Sequence, residues 1–563
     1  MRRSSLEMMA WAGLTACLSA AIFASLDSRV LGLFHDDGLY AVLAKTLVEE
    51  GHYRLASLPA EPVQTKYPPV YPALLATVWR VDPDFPRNII WLKGLNVSFI
   101  ACTLLGVALL ARQALARYRT TASFFLITLV GTNPGIVAFA DYTMTDTLFL
   151  TLVVWVLVCH GRIAKEPGRG REALLSLLTC AAILTRSVGV CLGAAIVIEY
   201  LVSRRLRLAA FHAAVYTAVC AAWYVWGLEY RSPVGTIIAY YQAYEQSAIE
   251  VIGSAPALAG AIIAGNARMA AETAWLVLGP AWAFWPVLVP LALVGMWCMA
   301  RSDQRVSLLF AGTYSAVLLA HPFSPHRYLI PLTPIFYMAV LMGAARVADQ
   351  LNATVVRPQI RQLPYVAVVT TAVILLVGNS LWFQYRLRPL SQGHVKGWYG
   401  IDMGYSWSGF QETFEWIRAN TPPDARLGTI FDPMYFLYTG RQAVRPWFHH
   451  PETYFYPYGK AKAFVGAPPE VAAELLTLRI DYLVLDPPNG YAEGNAAVAL
   501  LRDILNLPQI SGSLVFRSSD GRHEVYRLIG RHSASGQLRR RTPRTSGRPS
   551  TVRATQRRPG DLA

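Results

Sequence analysis

Over its first 390 residues this chain groups its apolar positions into long, nearly uninterrupted runs, not into the alternation of half-buried strands. A helix needs about 20 apolar residues to cross a bilayer. Runs of that kind predict eleven spanning helices, at about 9–30, 94–115, 122–140, 144–162, 173–187, 188–203, 208–228, 274–299, 306–322, 328–347 and 364–386. The fifth and sixth come from one stretch too long for a single span. Its centre, Thr185-Arg186-Ser187-Val188-Gly189, supplies a charge, a serine and a glycine, and the break is placed there. The first run follows Met1-Arg2-Arg3 and is too long for a signal-peptide core, so it reads as a signal anchor.

Charge along the connections orders these spans. With Arg2 and Arg3 in the cytoplasm, one set of short loops carries Arg112, Arg117 and Arg119; Arg162, Lys165, Arg169 and Arg171; Arg204, Arg205 and Arg207; Arg301 and Arg305; and Arg346, Arg357 and Arg361. All fall on one side, as the positive-inside rule requires. The opposite side receives the 31–93 loop, the 141–146 turn, Arg186, a stretch from Glu229 to about Thr273, the segment from His321 to Arg327, and everything beyond about Gln384.

After the last run the texture changes. Residues 408–432 read as an amphipathic helix, a Pro-Pro stop and a strand. Residues 479–488 read as a buried strand, and 512–529 as a hairpin about Asp520-Gly521. The expected organisation is a mostly α, polytopic membrane domain over 1–387 and a small extracytoplasmic α/β domain over 388–530, then a basic tail over 531–563. Internal repeats are not visible.

Composition agrees. The chain is 54% hydrophobic and only 15% charged, against roughly 25% charged in soluble proteins. The formal charge is +16, and nine arginines against one aspartate place half of it in the tail after residue 530. That tail has no apolar period and reads as a solvated, disordered appendage. It carries no nucleic-acid-binding motif, so membrane lipids are expected partners and nucleic acid is not. The seven cysteines lie in or beside apolar runs without metal-site spacing, and read as small buried residues.

The chemistry-bearing residues concentrate on the outer side. Asp36 and Asp37 follow the first run and open an amphipathic helix that would lie along the membrane surface. Lys66, Tyr67, Pro68, Pro69 and Tyr71 close the same loop, where a cation at headgroup depth suits a phosphate. Asp141 and Asp146 occupy the turn before the fourth span, with Asp146 in a helix first turn. Arg186, His321, His326, Arg327 and Tyr328 add cations and a ring. Each residue alone has an ordinary reading as a cap, a rigid turn or an interfacial anchor. Together, ionisable groups at one face of a bundle are functional candidates. The aromatics Trp398, Tyr399, Trp407, Tyr454 and Tyr456 read chiefly as packing, with glycan stacking as the alternative.

In this order the motifs resemble those of the GT-C glycosyltransferases of the protein-mannosyltransferase and aminoarabinose-transferase type, family 39-like. The motifs are an acid pair after the first span, Lys66-Tyr67-Pro68-Pro69, an acid opening the fourth helix, and Arg327-Tyr328. The resemblance covers about residues 8–345 and touches the outer segment around Trp416–Val444. Two departures stand out: Asp36-Asp37 replaces the usual Asp-Glu, and Tyr67 separates the lysine from the double proline.

What the resemblance implies is transfer of a sugar from a polyprenyl-phosphate donor to an envelope glycan, lipid or protein acceptor, with inversion, on the outer face of the cell inner membrane. It implies Asp36, Asp37 and Asp146 as the catalytic carboxylates, with Asp36 as the base. Lys66, Tyr67, Tyr71, Asp141, Arg186, His326, Arg327 and Tyr328 are implied to bind substrate. It fixes no cofactor; a divalent metal bridging Asp36 and the phosphate stays open, with metal independence ranked slightly ahead. The alternative is a transporter or flippase of lipid-linked glycans. Such proteins place their charges near the bilayer midplane within inverted repeats.

Overall fold

A computed structural model of the chain describes residues 2–115, 118–232, 236–242, 256–278, 285–320, 326–354, 378, 381, 385, 389–446, 466–488 and 492–530. The expected span at 364–386 lies almost wholly outside these residues, and the basic tail entirely so.

The N-terminal part is helical. Helix α1 (Arg2–Ala24) is followed by an outer loop that folds into α2 (Asp36–Glu49) and α3 (Val70–Val81). Next come α4 (Ile89–Ala114), α5 (Arg119–Gly131), α6 (Pro134–Ala140), α7 (Asp146–Lys165), α8 (Arg169–Ile183), α9 (Val190–Val202) and α10 (Leu206–Tyr230). The short α11 (Ala239–Gln242), α12 (Pro256–Leu278), α13 (Trp285–Ala300), α14 (Arg305–Ala320) and α15 (Thr333–Thr354) complete it. Leu6, Met9, Phe211, Val225, Leu228, Leu293 and Trp297 are exposed on α1, α10 and α13. Large apolar side chains turned outward from a helical bundle are what a lipid surface asks for.

Five described helices are long and apolar enough to cross a membrane, or seven if each bent pair counts as one span, against the eleven expected. The differences have local causes. The run at 122–140 is one apolar stretch but two helices, bent by 58°. Asn133 caps α6 through its side chain, which accepts from Ile136 N–H at 3.1 Å, and Pro134 takes the first helical position. A polar cap followed by proline starts a new helix rather than continuing the old one. The break placed within residues 185–189 is present. Arg186 is extended and Gly189 sits against the Ala182 backbone, where a Cβ would collide. The resulting α8 and α9 are short. The stretch assigned to an outer loop up to Thr273 instead holds α12, and the span expected at 274–299 starts at Trp285 as α13.

The C-terminal region is α/β. A two-stranded ribbon, β1 (His394–Lys396) with β2 (Asp402–Ser406), leads into α16 (Trp407–Asn420). There follow β3 (Arg426–Gly428), α17 (Asp432–Thr439), β4 (Gln442–Val444), α18 (Pro468–Thr477), β5 (Tyr482–Leu485), α19 (Ala492–Leu505), β6 (Ile510–Arg517) and β7 (Glu524–Gly530). The five-stranded sheet has the order β4-β3-β5-β7-β6. Strand β3 pairs parallel with β4 and β5, and β7 pairs antiparallel with β5 and β6. The helix and strands read at 408–432, 479–488 and 512–529 correspond to α16–β3, β5 and the β6–β7 hairpin. In that hairpin Gly521 takes the positive φ of 70° that its turn requires.

The two regions interlock around the outer loop. Helix α2 does not lie free on a membrane surface. Its Leu39, Val42 and Leu43 are fully buried. Gly38 of α2 fits so closely against Pro433 of α17 that a side chain there would collide. Gln442 donates to Ala56 O at 3.3 Å, and Ala443 N–H to Ser57 O at 2.8 Å. The sequence expectation failed here because amphipathicity shows that one helix flank is apolar, not whether lipid or another element covers it.

Candidate active site

The loop between α1 and α2 is fixed by Asp37, which places Asp36. Asp37 Oδ2 accepts from Gly32 N–H at 2.9 Å, and Oδ1 from Phe34 N–H at 3.0 Å. It is 3% exposed, and burial lifts its carboxyl to about 6 against those backbone bonds and Lys93. Asp37 therefore shapes the turn, while Asp36 binds side chains from elsewhere in the chain. The two acids also open α2, where their charge favours the positive end of the helix.

Asp36 is partly exposed, with 21% of its side chain open. Its Oδ1 accepts from Tyr67 OH at 2.7 Å, and its Oδ2 from Arg327 Nη2 at 3.0 Å. Burial pushes its carboxyl up, but Arg327, Lys66 and the Tyr67 hydroxyl outweigh burial and hold it below the ordinary carboxylate value. Asp36 is therefore ionised at neutral pH. Each oxygen retains a lone pair beyond the one already used.

Three further groups border it. Lys66 lies over the Tyr240 ring at 4.7 Å and the Tyr67 ring at 5.3 Å. Burial lowers its ammonium to about 8, with Asp36 opposing and Arg445 and Arg327 reinforcing the drop. Tyr40 packs edge-on against Tyr67 and Tyr71, with ring centres 4.9 and 5.2 Å away. Tyr328 is within reach of two guanidiniums, with Arg186 at 5.0 Å and Arg327 at 5.1 Å from its ring. Arg186 ion-pairs with Asp146, whose second oxygen is buried without a hydrogen-bond partner among the described residues. Residues from five separate stretches thus converge: Asp36, Lys66–Tyr67, Asp146, Arg186 and Arg327–Tyr328.

Two sequence candidates stand apart from this group. Tyr71 is fully buried and donates to Asn96 at 2.9 Å, an internal bond of the bundle. Asp141 is 4% exposed and accepts from Asp27 N–H at 2.8 Å and from Lys93 Nζ at 3.1 Å, and it also ion-pairs with Lys396 of β1. It joins the helical region to the C-terminal region. His326 opens a short 3-10 helix (His326–Leu332), and its side chain lies outside the described residues, as do His321, Tyr454, Tyr456 and the side chain of Tyr399. Trp398 packs on Phe34, Phe139 and Tyr142, and Trp407 on Phe410, Phe414 and Tyr438.

Sequence reasoning missed the contribution of the C-terminal region. Arg445, just after β4, interacts electrostatically with Lys66 and His35. Asp432, opening α17, pairs with Arg445 at 3.1 Å and with His35 at 3.1 Å. Only the adjacency of His35 to the acid pair could have flagged this group in advance. A divalent cation has no evident donor set. Among the described residues no three His, Cys, Asp or Glu side chains are gathered for one, and the neighbours of Asp36 are cations and a phenol.

No protein-family model matches this chain, and neither does any curated protein. Solved structures do match in fold. ArnT from Cupriavidus metallidurans in the apo state aligns with TM-score 0.53 and 16% identity over 92% of this chain and 98% of that one. The same protein bound to undecaprenyl phosphate aligns with TM-score 0.51 and 16% identity, at the same coverage. The archaeal oligosaccharyltransferase AglB from Archaeoglobus fulgidus, in complex with an inhibitory peptide and a dolichol-phosphate, aligns with TM-score 0.52 and 11% identity over 93% of this chain and 74% of that one. Long apolar helices, an α/β C-terminal region and these likenesses over nine-tenths of the chain give it the fold of the GT-C glycosyltransferases.

Proposed function

We propose that this protein is an integral-membrane glycosyltransferase that moves a sugar from a polyprenyl-phosphate donor to an acceptor on the outer face of the cell inner membrane. The observation that carries the reading is a partly open, ionised carboxylate, Asp36, ringed by Arg327, Lys66 and Tyr67. Likeness to proteins solved with undecaprenyl phosphate and with dolichol-phosphate supports a lipid-linked donor.

The chemistry follows from the charges. As the glycosidic bond to phosphate breaks, positive charge grows at the anomeric carbon and negative charge on the phosphate. Asp36 meets the first, as a carboxylate does in glycosidases. Lys66 and Arg327 meet the second, in a buried setting where fixed charges count for more than in water. The acceptor hydroxyl attacks from the opposite face, which inverts the centre. Its proton passes to a carboxylate lone pair, and Asp36 is partly exposed where Asp37 and Asp146 are buried. Arg186 and Asp146 hold Tyr328 and the back wall.

A transfer assay tests this. Wild type and Asp36→Asn, purified into lipid nanodiscs, are offered a panel of polyprenyl-phosphate sugars with envelope extract as acceptor. Wild type transfers at least one sugar, and Asp36→Asn falls by a factor on the order of 100 or more. Equal transfer by both removes Asp36 from the reaction. Movement of an intact lipid-linked sugar between leaflets, without glycosidic cleavage, establishes the flippase alternative instead.

A further inference from the structure

The transferase reading leaves one part of the pocket without a task. His35 immediately precedes Asp36, and its ring is buried at 4% exposure. Nδ1 lies 3.1 Å from Asp432 Oδ1. The Asp432 carboxylate also receives Tyr241 OH at 2.9 Å and Arg445 Nε at 3.1 Å. Burial raises the Asp432 carboxyl to about 7, while Arg445 and the Tyr241 hydroxyl favour its charged form; held by those two donors it is a carboxylate that only accepts, so the ring nitrogen facing it carries the proton. Nε2 then presents a lone pair. That nitrogen is buried and has no hydrogen-bond partner among the described residues.

The backbone gives a second, independent sign. His35 has φ 66° and ψ −66°, a conformation that residues with a Cβ rarely adopt. Such strain persists only where surrounding structure enforces it, and it clusters at functional sites. Here the enforcement is visible: Asp37 ties down Gly32 and Phe34, and Asp432 holds the ring. A strained backbone and an unsatisfied buried acceptor at the residue beside Asp36 are two costs with no structural return.

We propose that His35 Nε2, oriented by Asp432, accepts a hydrogen bond from a ring hydroxyl of the transferred sugar. The surroundings select the class of partner. Lys66 and Arg445 act electrostatically on this ring, and Arg327 binds the adjacent Asp36. Three cations against Asp36 and Asp432 disfavour an ammonium at this position, so the group is a neutral hydroxyl and the donor is not an amino sugar there. Burial, Arg445 and Lys66 all hold the imidazole well below its ordinary pKa, which keeps the lone pair available. Because Asp432 belongs to α17, the C-terminal region takes part in choosing the donor sugar.

The test couples one residue to one hydroxyl. For a donor that wild type transfers, analogues lacking each ring hydroxyl in turn are compared by kcat/KM in wild type, His35→Asn and His35→Gln. Asparagine keeps an amide near Asp432 but puts nothing at Nε2, whereas glutamine can place an oxygen there. Wild type disfavours one deoxy analogue by about 10- to 100-fold, one hydrogen bond's worth. His35→Asn loses that preference at that position alone, and His35→Gln regains part of it. Undecaprenyl phosphate binding, read by thermal shift on the same preparations, stays within about twofold and reports that the variants are folded. Unchanged preferences in both variants overturn the proposal and leave the transferase reading standing. So does weakened undecaprenyl phosphate binding by a folded variant, which makes His35 a phosphate ligand. A wild type that transfers no donor in the panel refutes the transferase reading itself.

Discussion

Asp141→Asn removes one negative charge from a site that holds two lysines. The carboxylate is 4% exposed and lies against Lys93 and Lys396, each less than 5% exposed in its side chain. The ammoniums keep backbone contacts, Lys93 with Asp27 O at 2.6 Å and Lys396 with Ser25 O at 3.3 Å, and Asp37 acts electrostatically on Lys93. Two buried cations that lose the carboxylate they share are costly, and breaking a buried pair from one side typically destabilises by about 3–5 kcal/mol. A stability of roughly 5–15 kcal/mol makes that a large loss. Because Lys396 sits on β1 and Lys93 on α4, the loss should appear as loosening of residues 394–406 before the bundle melts. The assay is hydrogen exchange by mass spectrometry on the detergent-solubilised protein, beside a melting curve. The variant should exchange faster at 394–406 and melt earlier. Raised salt will not mimic it, since buried pairs are weakly screened. Replacing all three residues together (Asp141→Leu, Lys93→Met, Lys396→Met) should restore much of the loss, because no charge is then left unpaired. A melting curve and exchange pattern for Asp141→Asn that match wild type would refute the reasoning.

Other consequences are read more simply. Tyr67→Phe removes a hydrogen bond to a carboxylate, worth about 1.5–3 kcal/mol, so the Asp36 carboxyl should rise toward its ordinary value and the acid limb of the transfer rate should move to higher pH. Lys66 is charged below its pKa of about 8, so affinity for undecaprenyl phosphate should fall as pH rises through 8, and Lys66→Gln should abolish that limb. Gly295 of α13 and Gly343 of α15 leave no room for a side chain, since a Cβ on Gly295 would meet the Ala339 carbonyl and one on Gly343 the Leu291 carbonyl. Gly295→Ala should therefore lower the melting temperature through an overpacking cost of about 1–3 kcal/mol.

How much of this was legible in the residues depended on whether the signal was local. Apolar runs, basic loops and the Asp520-Gly521 turn are read from neighbours in sequence, and they gave most helices, the fold class and the β6–β7 hairpin. The break at Asn133-Pro134 was also written locally, as a cap before a proline, but an unbroken apolar pattern masked it. The site was half legible. Asp36, Lys66, Asp146, Arg186 and Arg327 share a side, and the structure brings them together. Sidedness does not distinguish a residue that faces the pocket from one that fastens the wall. Asp37 and Asp141 have the residue type and location of catalytic acids, yet their lone pairs go to backbone N–H groups and lysines. Asp432 and Arg445 were invisible for the opposite reason. They lie some 400 residues from Asp36, and nothing local marks them as site residues.

The central claim is that the Asp36 pocket receives the phosphate end of a lipid-linked sugar. Photo-crosslinking tests it directly, using a polyprenyl phosphate with a diazirine on its first isoprene unit and the wild-type protein in nanodiscs. Label is expected on peptides containing Lys66–Tyr67 and Arg327–Tyr328, displaced by unlabelled undecaprenyl phosphate and reduced in Lys66→Gln. Label confined to the lipid-facing surfaces of α1 and α10, and indifferent to competitor, would contradict it.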